Sequence, residues 1–65
     1  MMLGKVKMYD SKKGYGFIVG DDGNEYFVPY CNVKTASGIL EKGYNVEFQA
    51  GRNDRGYVAS NVILM

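Results

Sequence analysis

The sequence predicts an all-β protein whose five short antiparallel strands close into a barrel. Nine glycines and one proline divide the apolar residues into short stretches, and no window sustains the 3.6-residue period of an ordinary helix. Several stretches alternate polar and apolar side chains instead, as strands with one buried face do. Five short strands in 65 residues hide their edges best by closing into a barrel.

The residue types predict the first strand and the turn after it. Residues 5–9 alternate charged and apolar side chains, so one face of this strand is expected to be exposed to solvent and the other to be buried. On this alternation Met8 shares the buried face with Val6, which favours a core role for Met8. Residues 10–14 are polar and end in a glycine, which predicts a turn.

The second strand is predicted to carry outward aromatic side chains. Alternation over residues 15–19 turns Tyr15 and Phe17 to one face and Ile18 to the other. Residues 21–24 read Asp-Asp-Gly-Asn, types that tolerate positive φ, so they predict a tight hairpin turn. A calcium site in this acidic stretch is less favoured than a turn, because the spacing lacks the twelve-residue loop and its terminal glutamate.

The third strand, residues 25–30, repeats the pattern of the second. Its alternation turns Phe27 and Pro29 outward and Tyr26 inward. Strict alternation also turns Tyr30 inward. Two neighbouring strands are therefore expected to display aromatic rings on one shared face.

A long connection, residues 31–43, follows the third strand. Residues 34–42 predict at most one helical turn, because a Ser-Gly pair interrupts the helical pattern. Cys31, the single cysteine, has no partner within the chain for a disulfide. Without a histidine to activate it, this residue is expected to be a half-buried structural thiol.

The last two strands are predicted at residues 44–49 and 57–63, with a polar loop at residues 51–56 between them. Alternation in the fourth strand turns Tyr44, Val46 and other apolar residues inward. The apolar residues of the fifth strand are too irregular in spacing to define its register.

The composition excludes most catalytic chemistry. The chain has no histidine, which removes the commonest general base and a common metal ligand, so we expect no enzymatic activity, cofactor or metal. The single cysteine favours a reducing, cytoplasmic setting. No signal peptide or membrane-spanning run is present in the sequence, so no membrane partner is expected, and residues 1–65 are expected to form one domain.

The positive charge is concentrated near the start of the chain. The net charge is +1, yet residues 1–20 carry four lysines and one aspartate. Within this basic segment, residues 13–18 read Lys-Gly-Tyr-Gly-Phe-Ile, which fits the ribonucleoprotein pattern with isoleucine in its last place. Two rings on one strand face can stack on bases, and lysines at the strand edges can follow phosphates. The alternative is that these rings fill the core. It is weakened because apolar residues from every strand already supply enough side chains for a core.

The whole chain resembles the bacterial cold-shock protein family. Residues 13–18 look like that family's first ribonucleoprotein motif, and residues 26–30, Tyr-Phe-Val-Pro-Tyr, stand where its second motif usually reads Val-Phe-Val-His-Phe. Residues 55–56 and 59–62 resemble its closing strand. The resemblance implies a five-stranded OB-fold barrel that binds single-stranded DNA and RNA. It also implies an RNA chaperone or a modulator of transcription or translation.

The resemblance also assigns roles to individual residues. A lysine here can equally be plain solvated surface, and Tyr30 takes part only if the chain twists outward near Pro29. The expected stacking residues are Tyr15, Phe17, Phe27 and Tyr30, and the expected phosphate contacts are Lys5, Lys7, Lys13 and Arg55.

Several positions depart from the family pattern. Met8 stands where the family usually has an exposed tryptophan, and Pro29 where it usually has a histidine. Both stay in the expected binding surface, since a thioether and a proline ring offer apolar contact, but weaker binding than is usual for the family is expected. The family often places an aromatic residue before Leu40, which this chain lacks, and Tyr57 is a candidate substitute ring.

The sequence thus favours a monomeric single-strand binder that prefers pyrimidine-rich strands and has no small-molecule substrate. One alternative stays open, in which the barrel is kept but its eroded stacking face binds a protein partner. An RNA-recognition motif domain is excluded, because it needs two helices that this chain cannot provide.

Overall fold

A computed structural model describes residues 1–34 and 40–65 of the chain. The single helical turn expected within residues 34–42 includes positions 35–39, which lie outside the described residues. The strands are β1 (Met2–Asp10), β2 (Tyr15–Gly20), β3 (Glu25–Pro29), β4 (Asn45–Asn53) and β5 (Gly56–Leu64), and a 3₁₀ turn covers Tyr30–Asn32.

The five strands form a closed barrel in the order β1-β2-β3-β5-β4, which confirms the predicted fold class. Four of the neighbouring pairs are antiparallel. The β3–β5 pair is parallel, through Phe27 opposite Val58, and Val33 adds a parallel bridge to Val62. The expectation of antiparallel pairing throughout was therefore wrong at this one seam. No helix in the part of the chain that the structure describes is long and apolar enough to cross a membrane.

The core is made from the inward faces of the strands. Tyr44, predicted to point inward, is exposed, because β4 begins only at Asn45 and the Tyr44 hydroxyl donates to the Glu41 carboxylate over 2.6 Å. Val33 is only partly buried. The fully packed residues are Val6, Ile18, Tyr26, Val28, Leu40, Val46, Phe48, Ala59 and Val62.

A β-bulge at Lys7 changes the direction of the side chains in β1. Val6 lies opposite Ile18 of β2, but Met8 lies opposite Phe17, so two residues of β1 span one step of β2. An extra residue in a strand shifts the alternation by one position. Met8 is therefore 37% exposed on the outer face, and the prediction that it joins Val6 in the core was wrong.

The hairpin of β4 and β5 is longer than predicted. The expected polar loop at residues 51–56 is mostly strand, and only Asp54 and Arg55 form the turn. The β4–β5 register shifts between Glu47 and Gln49, next to Asn61, whose φ is 52°. This irregularity explains why the apolar spacing of β5 predicted no register.

The chain turns outward where β3 ends. Because β3 stops at Pro29 and a 3₁₀ turn follows, Tyr30 is 68% exposed instead of inward. The turn is tied to the barrel by the Asn32 side-chain amide, which donates to the Ala59 carbonyl over 2.9 Å. Cys31 is exposed on the same turn, so the predicted half-buried thiol was wrong for the same reason.

Candidate nucleic-acid interface

Three aromatic rings form one cluster on the outer face of β2 and β3, which we call the aromatic platform: Tyr15, Phe17 and Phe27. The Tyr15 and Phe27 rings are stacked with centroids 5.8 Å apart, and Phe17 meets each of them edge-on at 6.2 and 5.9 Å. The predicted shared face of these rings is observed. Edge-to-face and offset contacts hold the rings against one another, while Phe27 stays 38% exposed.

Cross-strand pairing extends the aromatic platform to both sides. Met8 of β1 lies opposite Phe17, which in turn lies opposite Phe27 of β3. Pro29 lies opposite Tyr15 on the same face. Directly opposite residues have neighbouring side chains. Met8 and Pro29, the two positions that depart from the family pattern, therefore border the rings.

Gly16 allows β1 and β2 to approach closely beneath these rings. A Cβ atom on Gly16 would lie 2.5 Å from the Met8 carbonyl oxygen and 2.6 Å from Cδ1 of Tyr9. No side chain fits at such distances, so the glycine between Tyr15 and Phe17 keeps the inner side of the strand tight.

Tyr30 lies beside the basic β1–β2 turn, next to the platform. Its backbone N–H donates to the Gly14 carbonyl over 2.8 Å, and its ring lies over Gly14. An open groove of about 400 Å³ there is also lined by Lys12 and Lys13. The structure therefore brings Tyr30 and Lys13 together, as the family resemblance implies.

Lys7 forms an ion pair with Glu25. Both side chains are exposed, and Glu25 lies on the outer face of β3 two residues before Phe27. Glu25 is a candidate site residue that the sequence reasoning missed, although alternation with Phe27 would have found it. An exposed ion pair of this kind is weak, so the Glu25 carboxylate offsets the charge of Lys7 without holding its side chain firmly.

The two remaining predicted phosphate contacts, Arg55 and Lys5, border different grooves. Arg55 lines a groove of about 390 Å³ together with Phe17, Phe27 and Tyr57, so the structure joins it to the aromatic platform. Lys5 lies opposite Val19, beyond Phe17 on the same face, and borders a separate groove with Leu3. Lys5 therefore does not share a groove with the aromatic platform.

The β2–β3 turn holds the platform strands in register. The Asp22 carboxylate accepts hydrogen bonds from the Asn24 backbone N–H over 3.0 Å and the Tyr26 hydroxyl over 2.5 Å. The Tyr26 hydrogen bond, with the bonds from Asn24, lowers the pKa of Asp22, and the same bond to Asp22 raises the pKa of Tyr26. The predicted turn is observed, with Asp22 organising it in the manner of an Asx turn.

A small closed barrel with exposed rings on two adjacent strands and lysines at their edges is the arrangement of a nucleic-acid-binding β-barrel. Comparison with known families agrees, because the 'Cold-shock' DNA-binding domain family matches residues 2–65. The chain belongs to this family. Its members bind nucleic acid and are not enzymes, in agreement with the expectation drawn from the composition.

Individual relatives match over nearly their whole length. Cold shock protein 1 of Lactiplantibacillus plantarum is 44% identical over 64 residues, which cover 97% of each chain. A cold shock-like protein of Thermotoga maritima is 42% identical over 62 residues, or 94% of each chain. Cold shock protein 2 of L. plantarum is 38% identical over 63 residues, covering 95% of this chain and 96% of its own.

Proposed function

We propose that the outer face of β1, β2 and β3 binds single-stranded DNA and RNA by base stacking and phosphate attraction. The observation that carries this proposal is the aromatic platform, three mutually packed rings on the outer face, of which Phe27 is exposed and Tyr15 and Phe17 are half-buried. Rings already packed together lose little freedom when a base stacks on them. The family match does not favour the alternative of a protein-interaction barrel.

Each predicted site residue has a role in this proposal. The rings of Tyr15, Phe17, Phe27 and Tyr30 stack on successive bases, and Met8 and Pro29 offer apolar contact at the margins of the platform. Lys13 contacts phosphate beside Tyr30, Lys7 does so after leaving Glu25, and Arg55 and Lys5 act at the two ends of the surface.

The finer features of the function follow from the same face. Stacking without fixed polar contacts tolerates any base and favours pyrimidine-rich strands, which unstack at low cost. A binder of this kind acts as an RNA chaperone or modulator of transcription or translation by keeping strands unpaired. We further propose that residues 1–65 work as a single, monomeric domain in the cytoplasm, with no small-molecule substrate.

An amide NMR titration with a short oligothymidine at low salt, repeated at higher salt, tests this proposal. We expect salt-sensitive chemical-shift changes at Lys7, Lys13, Phe17, Phe27 and Tyr30. The logarithm of the affinity should fall with the logarithm of the salt concentration, with a slope of about −0.7 per phosphate contact. A titration without shifts would rule out the proposed binding face.

Removal of one platform ring gives a sharper test. Phe27→Ala is expected to lower the affinity for the oligonucleotide by a factor of about 5 to 150, the value of one base stack. The matched control is Tyr44→Ala, because Tyr44 is also 38% exposed but lies in another groove, lined by Asn45, Leu64 and Met65. Equal affinities for the two variants, both folded by their amide spectra, would contradict the stacking role of Phe27.

A further inference from the structure

The turn between β1 and β2 brings two adjacent lysines to one groove. Lys12 and Lys13 both line the open groove of about 400 Å³ that also borders Tyr30. Neighbouring residues of a strand point to opposite faces, so the shared groove depends on the turn that residues 11–14 form. The proposed function uses Lys13 as a phosphate contact and leaves Lys12 without a role.

Asp10, the last residue of β1, fixes the backbone of this turn. Its Oδ1 atom accepts the backbone N–H of Lys12 over 3.0 Å and that of Lys13 over 3.1 Å. Its carbonyl oxygen accepts the N–H of Gly14 over 2.8 Å, and Gly14 closes the turn with a φ of 79°, which glycine adopts without strain. Hydrogen bonds to a carboxylate are about twice as strong as neutral ones. Asp10 therefore orders the backbone from which both lysine side chains project.

Tyr30 is tied to the same turn, because its backbone N–H donates to the Gly14 carbonyl over 2.8 Å. A nucleotide within a strand has a phosphate on each side of its sugar, so a base that stacks on Tyr30 brings two phosphates close to the groove. Residues 10–14 carry two lysines and one aspartate, and Oδ1 of that aspartate is engaged by the backbone. The two ammonium charges match the two phosphates in number, which favours the strand backbone as their ligand.

We propose that Lys12 and Lys13 contact the two successive phosphates that flank the nucleotide stacked on Tyr30, and that Asp10 is the positioning residue of this site. The ligand is the phosphodiester backbone of a single strand. The site reads no base, because an ammonium group is a point charge that attracts phosphate in any sequence. This inference rests on the proposed single-strand binding and adds to it a further phosphate contact, Lys12, and the residue that orients the turn.

Lys12→Gln tests the new phosphate contact, since it removes one ammonium group and keeps a polar side chain. The affinity for a short oligothymidine is measured at several salt concentrations. One phosphate contact contributes about 0.7 to the salt slope, so the affinity advantage of the unmodified chain over the variant is expected to shrink about fivefold for each tenfold rise in salt. The matched control is Lys42→Gln, an equal loss of charge at an exposed residue outside this groove, which is expected to keep the slope of the unmodified chain.

Asp10→Asn and Asp10→Ala test the positioning role, because both remove the same charge and only asparagine keeps an oxygen acceptor for the two backbone N–H groups. We expect Asp10→Asn to keep the salt slope of the unmodified chain. The slope of Asp10→Ala is expected to be smaller by about 0.7 for each lysine that no longer lies at its phosphate. Amide spectra show which variants are folded. Asp10→Glu, which keeps the charge and moves the oxygens by one carbon, replaces Asp10→Ala if that variant is unfolded.

The outcomes separate this inference from the proposed function. If Lys12→Gln and Lys42→Gln have equal salt slopes, the contact at Lys12 is wrong while single-strand binding stands. If the Asp10 variants with and without the acceptor have equal slopes, the positioning role of Asp10 is wrong. If the unmodified chain binds no oligothymidine at low salt, this inference and the proposed function both fail.

Discussion

Met8 shows how one residue's role depends on a single inserted position. The bulge at Lys7 places Met8 opposite Phe17 on the outer face, where a thioether contacts a base without the extended surface of a ring. Lys7, at the bulge itself, forms its ion pair with Glu25 of β3. A larger aromatic side chain at position 8 would therefore lie beside Phe17 on the outer face.

Met8→Trp is expected to strengthen oligonucleotide binding by a factor of about 5 to 150, because the indole adds one stacking surface to the row of Phe17 and Phe27. The chain has no other tryptophan, so quenching of its fluorescence on titration measures binding directly. The control variant is Met65→Trp, at an exposed residue that lines grooves away from the platform. If both variants bind as the unmodified chain does, Met8 is not part of the surface.

At the scale of the element, β1 and β2 are shaped by the close approach of the β1 backbone to Gly16 of β2. The predicted alternation of β2 is observed, with Ile18 buried and the platform rings outside. The inner side of the strand at Gly16 is filled by the backbone and ring of Tyr9 and by the Met8 carbonyl. Gly16 therefore has no room for a side chain, because atoms of Met8 and Tyr9 occupy that space.

Gly16→Ala is expected to destabilise the protein by about 1 to 3 kcal/mol, since the new Cβ would meet backbone atoms that must move. Chemical denaturation followed by circular dichroism measures this loss. Gly51→Ala is the matched control, because the nearest atom to its new Cβ, the Val58 carbonyl oxygen, lies at an ordinary 3.5 Å. Equal losses in the two variants would show that the close approach at Gly16 is not restrictive.

At the scale of the whole molecule, the inner and outer faces of the barrel are joined through Tyr26. Its ring packs in the core with its centre 5.0 Å from that of Phe48, while its hydroxyl reaches Asp22 in the exposed β2–β3 turn. This hydrogen bond links the folding of the barrel to pH. Its contribution depends on an ionised Asp22 and a protonated Tyr26.

The sign of that pH dependence follows from the two pKa values. Asp22 has a pKa lowered from 3.8, so its contribution is present above that value and is lost as the pH falls through the lowered pKa. Tyr26 has a pKa raised from 10.0, so its contribution is present below that value and is lost as the pH rises through the raised pKa. The stabilisation is complete between these limits.

Tyr26→Phe keeps the buried ring and removes the hydroxyl. We expect the variant to unfold at lower urea concentration than the unmodified chain at neutral pH, and the difference in midpoint to shrink as the pH falls below 3.8, the ordinary pKa of Asp22. Tyr57→Phe is the control, because it removes a neighbouring hydroxyl and leaves Asp22 untouched. If the unfolding midpoints of Tyr26→Phe and the unmodified chain differ as much below pH 3.8 as at neutral pH, the role of Asp22 is contradicted.

Much of the fold and the centre of the site were predictable from local pattern. The alternation in β2 and β3 predicted the shared face of Tyr15, Phe17 and Phe27, and the turn residues predicted the β2–β3 hairpin. Side-chain direction in a regular strand depends only on position along the chain. The class of protein followed from the family resemblance, whose two motifs stand at residues 13–18 and 26–30.

Only the tertiary structure decided where the alternation breaks. The bulge at Lys7, the end of β3 at Pro29 and the irregular pairing near Asn61 each reverse or end the pattern, so they moved Met8 and Tyr30 to the surface. The tertiary structure also placed Arg55 beside Phe27, which is distant in sequence. Such features depend on which strand lies opposite, and that pairing is settled by packing of the whole barrel rather than by neighbouring residues.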